Sequence, residues 1–128
     1  MSEPLFLTLA EILEIHREQL ESLGGRGGVR DIGLLESAVA MPHSGSGGEY
    51  HHRSLFDMAA AYAFHIAENQ PFIDGIKRVG LAAALVFLDI NGVEIDDPKG
   101  TLYDAMMALG SKKMGKPPLA ALLESLSR

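Results

Sequence analysis

Between Glu68 and Arg78 the chain reads Glu-Asn-Gln-Pro-Phe-Ile-Asp-Gly-Ile-Lys-Arg, and these residue types suit the chemistry of holding an anion. The Asp74-Gly75 turn precedes an apolar stretch of helical period. Backbone N–H groups from Gly75 through Ile76, Lys77 and Arg78 are therefore expected to point out of a helix N-terminus, where the macrodipole favours negative charge. Lys77 adds a point charge and Arg78 a planar fork for phosphate oxygens. Asp74 is placed to hold a divalent cation bridging the same phosphates, because Mg²⁺ takes one or two carboxylates and leaves its other positions to water and phosphate. Phe72 reads as the buried anchor of the turn. A plainer alternative makes Asp74 only an N-cap, Gly75 only a turn residue and both cations merely exposed.

Other chemistry-bearing residues carry weaker signals. His65, five positions before Gln70, is expected to face elsewhere as a buried structural histidine. His51 and His52 belong to a polar loop from which they could swing toward the corner, whereas His16 and His43 suggest no role. The glycines of Gly24-Gly25-Arg26-Gly27-Gly28 match neither a Walker A loop nor a dinucleotide fingerprint, and turn flexibility accounts for them. Met106, Met107 and Met114 are expected to fill the core. Asp89, Glu94, Asp96 and Asp97 fit a solvated edge, since their spacing matches no calcium loop.

The elements that must position the corner are helical. Leu9, Ile12, Leu13, Ile15, His16, Leu20 and Leu23 recur at helical spacing behind a Thr8–Glu11 capping box, and the glycines stop that helix. Asp31 caps a short second helix ended by Pro42. Residues 43–53 are expected to be a flexible loop by composition. Ser54 and Asp57 then open a third helix, apolar nearly all round and hence central, and a second such helix follows the corner and stops at Asn91-Gly92. Residues 99–110 and 117–127 read as two amphipathic helices, with Pro in the first turn of the last. Val93–Ile95 is the only candidate extended piece. The expectation is an all-α fold of about six helices with a central buried pair.

With 128 residues, no cysteine, 47% hydrophobic and 6% aromatic content, the chain suits one helical domain over residues 1–128. Lack of thiols removes disulfides and zinc–thiolate sites, and suits a cytoplasmic protein. Charges interrupt each apolar run, and the start has no basic leader, so no membrane segment is expected. A net charge of −6 argues against direct nucleic-acid binding and favours a partner carrying a basic segment.

The corner resembles the signature of the Fic/Doc family, His-Pro-Phe-x-Asp/Glu-Gly-Asn-Gly/Lys-Arg, and the likeness extends over most of the chain. It takes in Leu-Ala-Glu-Ile-Leu-Glu-Ile-His, Gly-Val-Arg-Asp-Ile-Gly-Leu-Leu-Glu-Ser-Ala-Val, the Ala-rich third helix and the helix after the corner. The resemblance implies a helical domain that uses the motif loop to hold ATP with Mg²⁺ and moves phosphate, or AMP, onto a protein hydroxyl. In Doc-like members it implies phosphorylation of a translation factor such as EF-Tu, and inhibition by the C-terminal helix of a Phd-like antitoxin lying in the toxin's groove. Pro71 and Phe72 match the motif anchors, Asp74 its metal-binding acid, Gly75 its glycine, and Lys77 and Arg78 its basic end. Leu81 replaces a second Arg usual in AMP-transferring members, which points to the Doc-like branch, although Arg78-Val79-Gly80 is spelled more like the AMP-transferring one. No Ser/Thr-x-x-x-Glu-Gly/Asn inhibitory segment is present.

Two positions depart from the motif. Gln70 stands at the His that takes the hydroxyl proton, and Ile76 at an Asn that contacts phosphate. An amide orients a hydroxyl but does not accept its proton near neutral pH, and general-base help is worth about 10²–10⁴-fold. The expected protein is an impaired or inactive transferase. The alternatives are a non-catalytic module binding nucleotide or antitoxin, and an enzyme of altered chemistry in which Gln70 positions a substrate that needs no base.

Overall fold

The computed structural model describes residues 3–128. Six α-helices follow in order: α1 Leu9–Leu23, α2 Ile32–Ala40, α3 Leu55–Asn69, α4 Ile76–Ile90, α5 Thr101–Gly110 and α6 Lys116–Leu126. Among the described residues no helix is long and apolar enough to cross a membrane.

Local chemistry explains the helix starts. Thr8 and Glu11 form the reciprocal capping box of α1. Asp31 accepts the Leu34 N–H at 3.0 Å, and Ser54 accepts that of Asp57 at 3.0 Å. Asp97 is more than part of a solvated edge. Its carboxylate accepts from the Thr101 N–H, the Thr101 hydroxyl and the Leu102 N–H at 2.6–2.9 Å and fastens the start of α5.

The pair α3 and α4 forms the centre, with α1 packed on α4, α2 and α6 on α3, and α5 across both. Both helices bury small residues, Ala59, Ala60, Ala63 and Ala67 on α3 and Gly80, Ala83 and Ala84 on α4. A Cβ on Gly80 would stand 3.1 Å from the Ala63 carbonyl oxygen, so the backbones approach closely because α4 has no side chain there. Large side chains close the ends. Tyr62 stacks obliquely on Phe87, and its hydroxyl accepts the Leu7 N–H at 2.9 Å.

One stretch differs from the sequence expectation. Residues 43–53 are not simply a flexible loop: Met41–His43 forms a 3₁₀ turn, and Gly45–Ser46 pairs antiparallel with Glu49–Tyr50. Gly47 and Gly48, with φ of 61° and 81°, supply the turn that such a tight hairpin requires. Gly45 lies against the Glu49 carbonyl where no Cβ fits. The extended piece near Ile95 does form, as a bridge to Ser127.

Candidate functional site

The corner joins α3 to α4. Gln70 ends α3 in the left-handed conformation, φ 48° and ψ 56°, with its N–H donating to Ile66 O. Phe72 is buried and stacks on the His16 ring, their centroids 4.0 Å apart. His16 Nε2 lies 3.1 Å from the Asp74 carbonyl oxygen, giving this α1 histidine a part in shaping the corner that its sequence context did not suggest.

Asp74 is not the cap of α4. Gly75, φ 73°, holds that position without a side-chain cap bond. The Asp74 carboxylate instead accepts the Arg26 N–H at 3.1 Å and the Gly75 N–H at 2.8 Å. These two bonds, aided by the charges of Arg78 and Arg26, hold its carboxyl below the usual carboxylate range. With the Gly75 N–H engaged, the N–H groups of Ile76, Lys77 and Arg78 have no hydrogen-bond partner among the described residues and stand open at the α4 N-terminus.

Arg78 is not merely exposed either, since its Nη2 donates to Gly24 O at 2.9 Å. Lys77 crosses α5 at Gly110, where a Cβ would stand 2.5 Å from Lys77 Cε. Together Gln70, Asp74, Gly75, Ile76, Lys77 and Arg78 line a cleft of about 620 Å³ whose far wall is Tyr103, Met107 and Gly110 of α5. Met107, expected in the core, is exposed on that wall; Met106 is buried. A neighbouring cavity of about 420 Å³, lined by Phe64, Lys112, Lys113 and Met114 among others, shares Ala67, Gln70 and Gly110 with the cleft.

The glycine run after α1 is a strap across the corner. Val29 bridges to Phe72; Ile73 N donates to Gly28 O, and Arg30 N and Asp31 N both donate to Pro71 O. The Arg30 side chain reaches further, with Nε 2.7 Å from Gln70 O and Nη2 3.0 Å from Asn69 O. A Cβ on Gly25 would stand 3.0 Å from Asp74 Oδ2, and one on Gly28 would stand 2.9 Å from Ile73 Cδ1. Turn flexibility is thus an incomplete account: these glycines admit the corner's side chains. The clustering of glycines was the available signal, but it gave no hint of what approaches them.

His52 and His65 meet at Lys116, and neither they nor His51 line the cleft. Lys116 Nζ lies 3.2 Å from His52 Nε2 and 3.1 Å from His65 Nε2, and sits over the Phe64 ring. Burial, then the Lys116 charge, pushes His65 down to about 4, and the same causes lower His52. His52 does not swing toward the corner.

For a metal, the cleft lining offers one carboxylate, Asp74, and no group of three His, Cys, Asp or Glu side chains that could hold an ion occurs among the described residues. Each Asp74 oxygen accepts one protein hydrogen bond and keeps a further lone pair. Such a donor set suits Mg²⁺ carried largely by phosphate and water, and does not suit a protein cage.

Comparison with known proteins identifies a family. Residues 6–88 match the model of the Fic/DOC family, covering the strap, the corner and all but the last two residues of α4, but not the α5 wall of the cleft. Toxin Doc of Mycolicibacterium smegmatis is 45% identical over 74 residues, 58% of this chain and 57% of that protein. The protein kinase doc of Escherichia phage P1 is 31% identical over 87 residues, 68% of each chain. With a helical fold, a family match over residues 6–88 and these relatives, the chain belongs to the Fic/DOC family.

Proposed function

We propose that this protein is a Doc-like toxin of a toxin–antitoxin pair, built to move phosphate, or AMP, from ATP to a protein hydroxyl and impaired in that transfer by Gln70 and Ile76. Relatives named as a toxin and as a protein kinase support the class. One observation carries the impairment. The cleft is lined by Gly75, Lys77 and Arg78 at the start of α4, while its lining contains no histidine and Asp74 is its one carboxylate. Asp74, held ionised by two N–H bonds, is a poor proton acceptor, and His16 is buried beneath the turn.

In this reading the open N–H groups of Ile76, Lys77 and Arg78, with the Lys77 and Arg78 side chains, grip phosphate, and Asp74 holds Mg²⁺. The metal would neutralise charge on the phosphates. Gln70 orients the acceptor hydroxyl without taking its proton. Ile73, Tyr103 and Met107, all exposed around the cleft, offer an apolar rim for the helix of a Phd-like antitoxin or for a translation-factor substrate.

A second reading, a module that binds nucleotide without transfer, is favoured by the survival of the N–H groups independently of both substitutions. Label transfer from γ-labelled and α-labelled ATP with Mg²⁺ into bacterial lysate separates the two, comparing this chain with Gln70→His and Gln70→His/Ile76→Asn. Restored histidine is expected to raise transfer about 10²–10⁴-fold. The label's position then names phosphate or AMP transfer. Equal labelling by the unaltered chain would refute impairment. No labelling by any of the three, with ATP still bound in calorimetry, would leave the binding module as the function.

A further inference from the structure

Position 70 poses a problem in backbone chemistry. A helix stop in the left-handed region is normally filled by glycine, because any Cβ there is strained. Gln70 occupies it with φ 48°; the residue lines both the cleft and the adjoining cavity, and its side chain has no hydrogen-bond partner among the described residues. A strained residue persists where the surroundings over-determine it. Here they do so through the backbone. The guanidinium of Arg30, on the strap, donates at 2.7 Å to the carbonyl of Gln70 and at 3.0 Å to that of Asn69. Both carbonyls lie at the C-terminal, negative end of α3, where a cation is favoured.

We propose that Arg30 is the positioning residue for side chain 70: its two-pronged grip on the carbonyls of Asn69 and Gln70 keeps residue 70 left-handed and its side chain in the cleft. The proposal deepens the transferase reading and rests on it for the importance of side chain 70. The grip itself is a matter of conformation and is testable without any activity. The backbone part of the strap, the bonds from Arg30 N and Asp31 N to Pro71 O and from Ile73 N to Gly28 O, does not depend on the Arg30 side chain. Replacing that side chain therefore isolates the grip.

Two measurements decide the proposal. By NMR on the isotope-labelled full chain, the intraresidue HN–Hα NOE and the three-bond coupling report whether φ of residue 70 is positive. The unaltered chain is expected to show a positive φ, Arg30→Ala a shift to negative or averaged values, and Arg30→Lys, with one donor group for two carbonyls, a smaller shift. In the Gln70→His background, Arg30→Ala is expected to lower kcat for transfer by roughly 100-fold, as misplacement of a reacting group does, with KM for ATP unchanged. Arg30→Lys should recover part of that loss. A positive φ retained in both Arg30 variants, with only a lower melting temperature, would overturn the proposal and leave Arg30 a brace of the fold. If Gln70→His is inactive, the transferase reading fails while the NMR result still decides the grip. If Arg30→Ala does not fold, Arg30→Lys carries both measurements.

Discussion

Helices α3 and α4 both end with a left-handed residue, yet they use it in opposite ways. After α4, Gly92 supplies it at φ 84°, and the preceding Asn91 side chain is fully occupied: it accepts the Leu5 N–H at 2.8 Å and donates to Leu5 O and Phe87 O. At the end of α3 the left-handed residue is Gln70, whose backbone is gripped and whose side chain is left to the cleft. One end consumes its polar atoms in holding the chain, and the other reserves them. The left-handed backbone at Gln70 is held by bonds to its N–H and carbonyl, and its side chain has no hydrogen-bond partner among the described residues.

Four substitutions and one titration sharpen or break that contrast. The largest effect is expected from Phe72→Ala, which removes the buried ring stacked on His16 and should reduce stability by about 3–5 kcal/mol in urea denaturation. Because His16 also meets the Asp74 carbonyl, nucleotide binding should weaken with it; undiminished binding would mean the corner holds its shape without its anchor. At the other end, Asn91→Ala should lower stability by about 1–3 kcal/mol through the lost hydrogen bonds to Leu5 and Phe87 and leave nucleotide affinity untouched. A change in affinity there would break the distinction between the two ends.

Gln70→Gly should do the reverse and stabilise the chain by roughly 0.5–1 kcal/mol, the left-handed penalty relieved less the added entropy of the unfolded glycine. A destabilised Gln70→Gly variant would show that the Gln70 side chain contributes more to folding than its left-handed backbone costs.

Acid should act on the Lys116 cluster before the corner. His65 has a folded-state value of about 4, below its ordinary 6.5, so the unfolded chain takes the proton first. Its contribution is intact above pH 6.5 and is lost as pH falls from 6.5 toward 4. Asp74, lowered from 3.8, contributes above that value and loses its contribution only in stronger acid. Histidine and carboxylate titrations by NMR should show that order. Lys116→Met should move His65 upward only in part, because burial is the larger cause of its shift.

Much of the fold was legible in the sequence because it depends on neighbours. The capping residues Thr8, Asp31 and Ser54, the Asn91-Gly92 stop and the apolar faces of α3 and α4 each act within a turn or two of the chain. The candidate corner was legible for the same reason: Asp74, Gly75, Lys77 and Arg78 are consecutive or nearly so and stand at a helix start. The small hairpin was hidden because two-residue strands leave no alternation to read, and Gly45–Tyr50 has the composition of any polar loop.

What the sequence by itself determined was therefore the helical periodicity, the helix ends and the Asp-Gly turn with two basic residues at one of them, together with the absence of a histidine at position 70. Tertiary structure alone decided how that end is built. Arg30 grips Gln70 from 40 residues away, His16 supports Asp74 from 58 away, and Gly25 and Gly28 matter through side chains that reach them from the corner. Periodicity and capping are short-range, and a contact between distant segments exists only after packing has paid the entropy of bringing them together.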